Sequence, residues 1–497
     1  MSAELSPDRT SRLLLAALAL LALSRLLSLA FYPLMDMTEA RYADIGRRMA
    51  ESGDWVTLWL DDMRPFWGKP ALSFWSTAVG LKVFGFNAWA ARVPHYLMGI
   101  GVAGLVWWQA REQSRRLAWH AVALLAGSLL FLLSAGAVMT DMALVLGTTL
   151  VMSGFWWCVH RRGGLAAPLA LFGGLAIGLL AKGPLALVVC TAPIGAWLLW
   201  QRAWLQAWRR VPWVWGLAAV LVVTLPWYLL AEQRSPGFLH YFIVGEHISR
   251  FMVPGWNGDL YSNAHGLPRG TVWLFAAVAA LPWALVLPLA WLTGSRWRRA
   301  SVLAASERRY LLLWALWPCV FFSLAGNILV TYVLPSLPAL ALLCAGWTAP
   351  AALAQRMDRL LAAVLLLLAL AIPALLVAGG QSRQFERHSQ LALVRAYESV
   401  AAPGEPLLEV PSVSFSTDFY LQGRARGLRY AEDLPDLADG KPVYVLIAND
   451  RWDALPPELR DRLVPVAATP SHKLLRWPGG APQERAAGWN AQRRPSR

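Results

Sequence analysis

The chain has 497 residues, 57% of them hydrophobic, with 28 Trp, 17 Phe and 12 Tyr. That apolar content excludes an ordinary water-soluble globule and fits a polytopic membrane protein. The formal charge of +15 comes from 45 Lys+Arg against 30 Asp+Glu, but most arginines lie in short loops between apolar runs. They report topology, so no nucleic-acid partner is expected.

In chain order, "MSAELSPDRTSR" precedes an apolar stretch that has no small-residue cleavage site, so it reads as a retained signal anchor with Arg9 and Arg12 in the cytoplasm. Apolar runs long enough to span recur near residues 13–32, 87–110, 117–134, 139–159, 165–181, 184–200, 212–231, 270–292, 310–327, 329–348 and 358–378. That predicts about eleven spans. The arginine-rich loops at 111–116, 160–164, 201–210, 295–309 and 354–359 all fall on the side of the N-terminus when spans are counted alternately. The opposite face receives two long loops, 33–86 and 232–269, and everything after about residue 381. The expected division is a membrane domain over 1–380, a soluble α/β domain over 381–480 outside the cytoplasm, and a disordered tail over 481–497.

The first long loop is more than a linker. In "TEARYADIGRRMAES", Tyr42, Ile45 and Met49 recur at helical spacing, and "KPALSFWSTAVGLKVFG" gives a second apolar-faced helix; both are expected to lie along the membrane surface. Trp55, Trp59 and Trp67 between them are of the interfacial residue type. The region 381–480 alternates strand-like runs such as "EPLLEVPSV" and "PVYVLIAND" with the helical "PPELRDRLV". Cys158, Cys190, Cys319 and Cys344 sit in apolar segments without metal-ligand spacing and read as packed thiols.

Mapped onto this topology, Asp36, Glu39, Arg41, Lys69, Asp141, Lys182, Glu246, His247 and Arg250 all fall near the non-cytoplasmic face. Ionisable groups at membrane depth are costly, so their clustering predicts one polar cavity there. Asp36 and Glu39 also fit a capping box at a helix start, a role compatible with a general base. Asp141 opens an otherwise uncharged helix and is too short to snorkel. Lys69 and Lys182 stand before proline or Gly-Pro, at helix breaks where a cation could meet a lipid phosphate; an interface anchor is the alternative for Lys182. Residues 235–266 mix Glu, His, Arg, Trp, Tyr and Asn in a way that suits a ligand with hydroxyls and a phosphate. His247 and His265 with Glu246 could hold a divalent metal, although loop histidines are the plainer reading. Tyr332, in a Pro-containing helix, has packing as its default role. No Gly-rich phosphate loop is present, so a nucleotide donor is not expected and a polyprenyl-phosphate-linked sugar fits instead.

The stretch "DMTEARYADIGRRMAESGDWVTLWLDDMRPFWGKPALSFW", followed by "TDMALVL", "AKGPLAL", "PGFLHYFIVGEHISRFMVPGW" and "TYVLPSLPALALL", resembles bacterial glycosyltransferase family 39 over most of residues 10–350. That family includes protein O-mannosyltransferases and lipid A aminoarabinose transferases. The resemblance implies a C-type glycosyltransferase fold of about 11–13 membrane helices, two juxtamembrane helices in the first outer loop and an outward-facing active site. It also implies a polyprenyl-phosphate sugar donor with a lipid, glycan or protein acceptor at a bacterial inner membrane. By motif position it puts Asp36, Glu39 and Asp141 in catalysis, Lys69, Arg41, Arg250 and Tyr332 around the donor phosphate, and Tyr42, Glu246, His247 and Lys182 around the substrate. Relatives commonly carry an adjacent Asp-Glu pair where Thr38-Glu39 stands, and a Glu where Gly68 precedes the Lys-Pro. The alternative of another class is a lipid-linked sugar flippase, for which internal symmetry between halves would be the signature.

Overall fold

The computed structural model describes residues 9–261, 266–293, 301–350, 354–380 and 383–479. It divides into two compact units, one of residues 1–31 and 48–376, the other of residues 32–47 and 377–497. The tail over 481–497 lies outside the described residues.

The first unit is helical. Among the described residues, Thr10–Ser28, Asp141–Val159, Trp213–Arg234, Val330–Thr348 and Gln355–Gly379 are long and apolar enough to cross a membrane. A sixth span is made if Thr271–Ala279 and Trp283–Leu289, which meet at 79°, count as one. This is fewer than the eleven runs predicted, because several runs fold as shorter pieces. Ala166–Lys182 and Leu185–Gln201 have 17 residues each, and the run at 117–134 breaks at Gly127-Ser128 into Arg115–Ala126 and Leu129–Ser134. Val214, Trp215 and Val222 on Trp213–Arg234, and Leu367 on the last long helix, are each at least two-thirds exposed. In water such faces would aggregate; in hydrocarbon they need no cover, and the chain is a multi-pass membrane protein.

Asp141–Val159 is instead the central helix, 89% buried along its apolar window. It packs antiparallel on Ala166–Lys182 through glycines. A Cβ on Gly147 would stand 2.7 Å from the backbone nitrogen of Gly178, and one on Gly154 would stand 2.3 Å from that of Leu171. Small residues at such spacing let two backbones touch where no water drives association. Because the helices are antiparallel, the first residue of one, Asp141, meets the last of the other, Lys182.

The second unit carries a five-stranded sheet. Strands β1 (Leu407–Val410), β2 (Arg426–Gly427), β3 (Val443–Ala448), β4 (Val464–Ala468) and β5 (His472–Trp477) lie in the order β2-β1-β3-β5-β4. The β1 pairings with β2 and β3 are parallel, while β5 is antiparallel to both β3 and β4. Val443, Val445 and Ile447 join one core, and Tyr444 and Leu446 join another with Leu393 and Val394. A strand covered on both faces explains why "VYVLIA" is apolar without alternation.

Candidate functional site: a buried cluster of three cations and three carboxylates

Lys69 follows the Trp55–Gly68 loop and precedes helix Leu72–Phe84. Its Nζ donates to Glu246 Oε2 at 2.7 Å and to the Gly68 carbonyl at 2.5 Å. Glu246 sits in a π-helix, Tyr241–Ser249, whose wider i→i+5 winding recurs at functional sites. Its carboxylate also accepts from Arg250 Nη1 at 3.2 Å and from the Tyr241 hydroxyl at 3.3 Å. Arg250 reaches Asp259 at 3.1 Å, while its Nε is buried with no hydrogen-bond partner. Burial works against the charge on Glu246, yet Lys69 and Arg250 outweigh it and hold the carboxyl below its usual range. Arg250 loses stability as a cation by burial and regains more from Glu246, so its proton is held more firmly than usual.

The second part of the site comes from the glycine-packed helices. Lys182 Nζ donates to Asp141 Oδ1 at 2.7 Å, and both side chains are at most 10% exposed. The helix ends there because Gly183 takes φ +63°, and a Cβ on Gly183 would lie 2.6 Å from the Phe242 ring. Only glycine meets both demands. Close contact with the π-helix follows: His247 joins the Phe242 carbonyl at 2.7 Å and the Lys182 carbonyl at 3.0 Å.

Tyr332, on the 3-10 segment Val330–Ser336, links the two parts. Its ring centroid is 5.8 Å from Lys182 Nζ, and it lies within electrostatic reach of Arg250, Lys69, Glu246 and Asp141. Three cations from three separate segments thus share one buried region with Glu246, Asp141 and Asp259. A cavity of about 560 Å³ runs beside helix Leu337–Thr348, lined by Leu124, Ala277, Trp283, Leu287, Leu340 and Trp347 among others. Its lining is almost wholly apolar.

Asp259 and Asn327 were not singled out from the sequence. Asn327 donates to the carbonyls of Arg250 (2.5 Å) and Val253 (2.9 Å) and accepts from the Gly255 amide, which fixes the end of the Arg250 turn. Neither stands in an informative spacing; the only available signal was a polar residue after a glycine beside an apolar run.

Glu246, His247 and His265 offered a candidate divalent site, with loop histidines the plainer reading. Both His247 ring nitrogens are engaged with carbonyls, and no group of three His, Cys, Asp or Glu suited to a metal occurs among the described residues. His265 lies outside the described residues. Tyr42, Asp36, Glu39 and Arg41 belong to the other unit. There Asp36 accepts from the Ser416 amide at 2.9 Å and from the Ser416 hydroxyl, while its own N–H donates to the His388 carbonyl at 2.7 Å. Burial raises its carboxyl to about 6 against the lowering effect of those bonds. The capping partner of Asp36 is therefore helix Phe415–Tyr420, rather than the helix Glu39–Ser52 that follows it. Arg41 lies over the Tyr42 ring at 5.4 Å.

An undecaprenyl phosphate-α-4-amino-4-deoxy-L-arabinose arabinosyl transferase of Pseudomonas fluorescens is 34% identical over 353 residues, 68% of this chain and 57% of the relative. One of Erwinia tasmaniensis is 32% identical over 333 residues, 65% of this chain and 57% of the relative. The chain thus spans about 57% of the length of these relatives. The crystal structure of ArnT from Cupriavidus metallidurans bound to undecaprenyl phosphate superposes with a TM-score of 0.76 at 20% identity, covering 94% of this chain and 99% of that one. That likeness shows the fold, the C-type glycosyltransferase architecture expected from the motifs. The dolichyl-phosphate-mannose-protein mannosyltransferase family matches residues 10–242.

Proposed function

We propose that the chain is a membrane glycosyltransferase that moves a sugar from a polyprenyl-phosphate donor to a lipid A-like lipid, a glycan or a protein. The reaction takes place at the periplasmic face of the bacterial inner membrane, with the N-terminus in the cytoplasm. The observation that carries this reading is the convergence of Lys69, Lys182 and Arg250 around Tyr332, with the buried Arg250 Nε left over as a donor. An arrangement of this kind suits a phosphate whose negative charge grows as it leaves. The relatives named above carry undecaprenyl phosphate-4-amino-4-deoxy-L-arabinose in their names, which supports a donor of that class.

In the reaction the acceptor oxygen attacks the anomeric carbon while the bond from that carbon to the phosphate oxygen breaks, with inversion. The acceptor proton passes to a carboxylate. Asp141 has that role in this reading, because its Oδ1 lies 2.7 Å from Lys182 Nζ, inside the cation cluster. Asp36 has both carboxylate oxygens engaged by Ser416 and serves to hold the first loop, whose Glu39, Arg41 and Tyr42 keep the catalytic, donor-phosphate and substrate roles that their motif positions imply. Glu246 and His247 orient Lys69, Arg250 and the Lys182 turn. The cavity beside Leu337–Thr348 receives the prenyl tail.

The test is transfer from radiolabelled undecaprenyl-phosphate sugar to cell-envelope fractions, with wild type, Lys69→Ala and Asp141→Asn expressed equally. Label joined to one acceptor fraction only with wild type is the expected outcome. Label that crosses the bilayer without being joined to anything would make the chain a flippase.

A further inference from the structure

The C-terminal region holds the first long loop through one short helix. Four of the six residues of Phe415–Tyr420 each meet a different residue of the segment 32–47, all within the same compact unit. The Tyr420 hydroxyl accepts from the Leu34 amide at 2.7 Å. Ser416 gives both its amide and its hydroxyl to Asp36, and is itself fully buried. The Phe415 ring lies 5.9 Å from the Arg41 guanidinium, within cation–π range. Asp418 faces Arg47 at 3.6 Å, and Arg47 is also held by Asp44 at 2.6 Å. Gly423 completes the contact: a Cβ there would lie 3.3 Å from Arg47 Nη1, at a φ of +75° that already favours glycine.

The chemistry of these contacts differs from that of a passive packing surface. A hydroxyl and an amide that converge on one carboxylate fix both its position and its rotation. An aromatic ring and a carboxylate fix the two arginines of the same segment at separate points. Helix Glu39–Ser52 begins three residues after Asp36, so fixing Asp36 and Arg41 also fixes Glu39 between them. Behind Ser416, the buried Glu409 of β1 bonds to Ser414 and Thr417, which ties the gripping helix to the sheet.

We propose that the C-terminal α/β unit is the positioning element of the first long loop, with Ser416 and Tyr420 as positioning residues that set where Glu39 and Arg41 are presented for glycosyl transfer. This rests on the transferase reading above in one respect, that the first-loop groups act in the transfer. Misplacement of a reacting group by about 1 Å can cost up to about a hundredfold in rate, so loosening this grip acts on turnover.

The experiment uses the full chain in phospholipid vesicles, with Ser416→Ala, Ser416→Thr and Tyr420→Phe beside wild type. Amide hydrogen exchange of residues 34–42, binding of undecaprenyl phosphate, and kcat and KM for transfer are measured on the same preparations. The expected result is faster exchange over 34–42 and a fall in kcat of about tenfold for Ser416→Ala and for Tyr420→Phe. The loss in kcat exceeds any loss in undecaprenyl phosphate binding, and Ser416→Thr, which keeps the hydroxyl, restores both exchange and kcat. Faster exchange with unchanged kcat would reduce the grip to a structural contact and overturn the proposal, as would unchanged exchange in both variants. If wild type transfers no sugar, the transferase reading falls and this proposal with it; the exchange data then still separate a missing grip from a missing reaction.

Discussion

The two units treat buried carboxylates in opposite ways. Glu246 is enclosed by Lys69 and Arg250 and is held below its usual range, whereas Glu409 and Asp36 have hydroxyl and amide donors for partners and rise to about 7 and about 6 through burial. Depth is similar in the two places, since Glu246 and Glu409 are both almost inaccessible. The neighbours decide the charge: a cation at hydrogen-bond distance outweighs desolvation, and neutral donors do not. One unit therefore stores fixed charge suited to a phosphate, while the other stores carboxyls that take up protons near neutral pH.

The strongest way to break this contrast is to remove the cations. Lys69→Ala with Arg250→Ala leaves Glu246 buried without its cationic partners, an expected cost of about 3–5 kcal/mol. Adding Glu246→Gln to that pair recovers part of the loss, which thermal unfolding of the full chain in detergent would read. The single variant Lys69→Ala is expected to lower transfer by about 10²–10³-fold, measured as kcat with labelled donor.

Next in size is Asp141→Asn. It keeps the shape but cannot take a proton, so kcat is expected to fall by about a hundredfold with little change in donor binding. Unchanged kcat would remove Asp141 as the base.

The second unit offers the pH counterpart. Burial raises Asp36 and Glu409 in the folded state above the carboxyl values of an unfolded chain, near 4 on the ordinary scale, so the native state binds more protons between about pH 4 and pH 7. Stability of this unit should fall as pH rises through that window, by on the order of 1–3 kcal/mol. Exchange of the β1 and β3 amides in the full chain, corrected for intrinsic rates, checks this. Glu409→Gln should flatten the slope, while Glu246→Gln should leave it unaltered.

The smallest effect is expected where solvent screens the charge. Arg64 meets Asp61 at 2.6 Å but is 74% exposed, so Arg64→Ala should change stability by about 0.5 kcal/mol or less. A larger loss would mean that the 54–67 loop bears on the site.

Much of the first unit was legible because its signals are local. Lys69 before Pro70 and Lys182 before Gly183-Pro184 mark helix breaks in the sequence, and a charge in an apolar run is conspicuous wherever it falls. The span count was less legible, because an apolar run does not reveal a break such as the one at Gly127-Ser128. Nor did any spacing disclose the π-winding at Tyr241–Ser249 or the clamp by Asn327. The largest miss was the partner of Asp36. "DMTE" has the pattern of a local cap, yet Ser416 is 380 residues further on, and a single sequence has no periodicity that joins two such points. "FSTDFY" looks like any short polar-aromatic turn until the strands beside it are placed.

Along the chain, the π-helix also has a meaning in residue count. Tyr241 and Glu246 share a face at a separation of five, and an α-helix would bring together residues four apart. A homologue one residue shorter between them could wind as plain α and still pair the same two side chains, whereas one a residue longer could not.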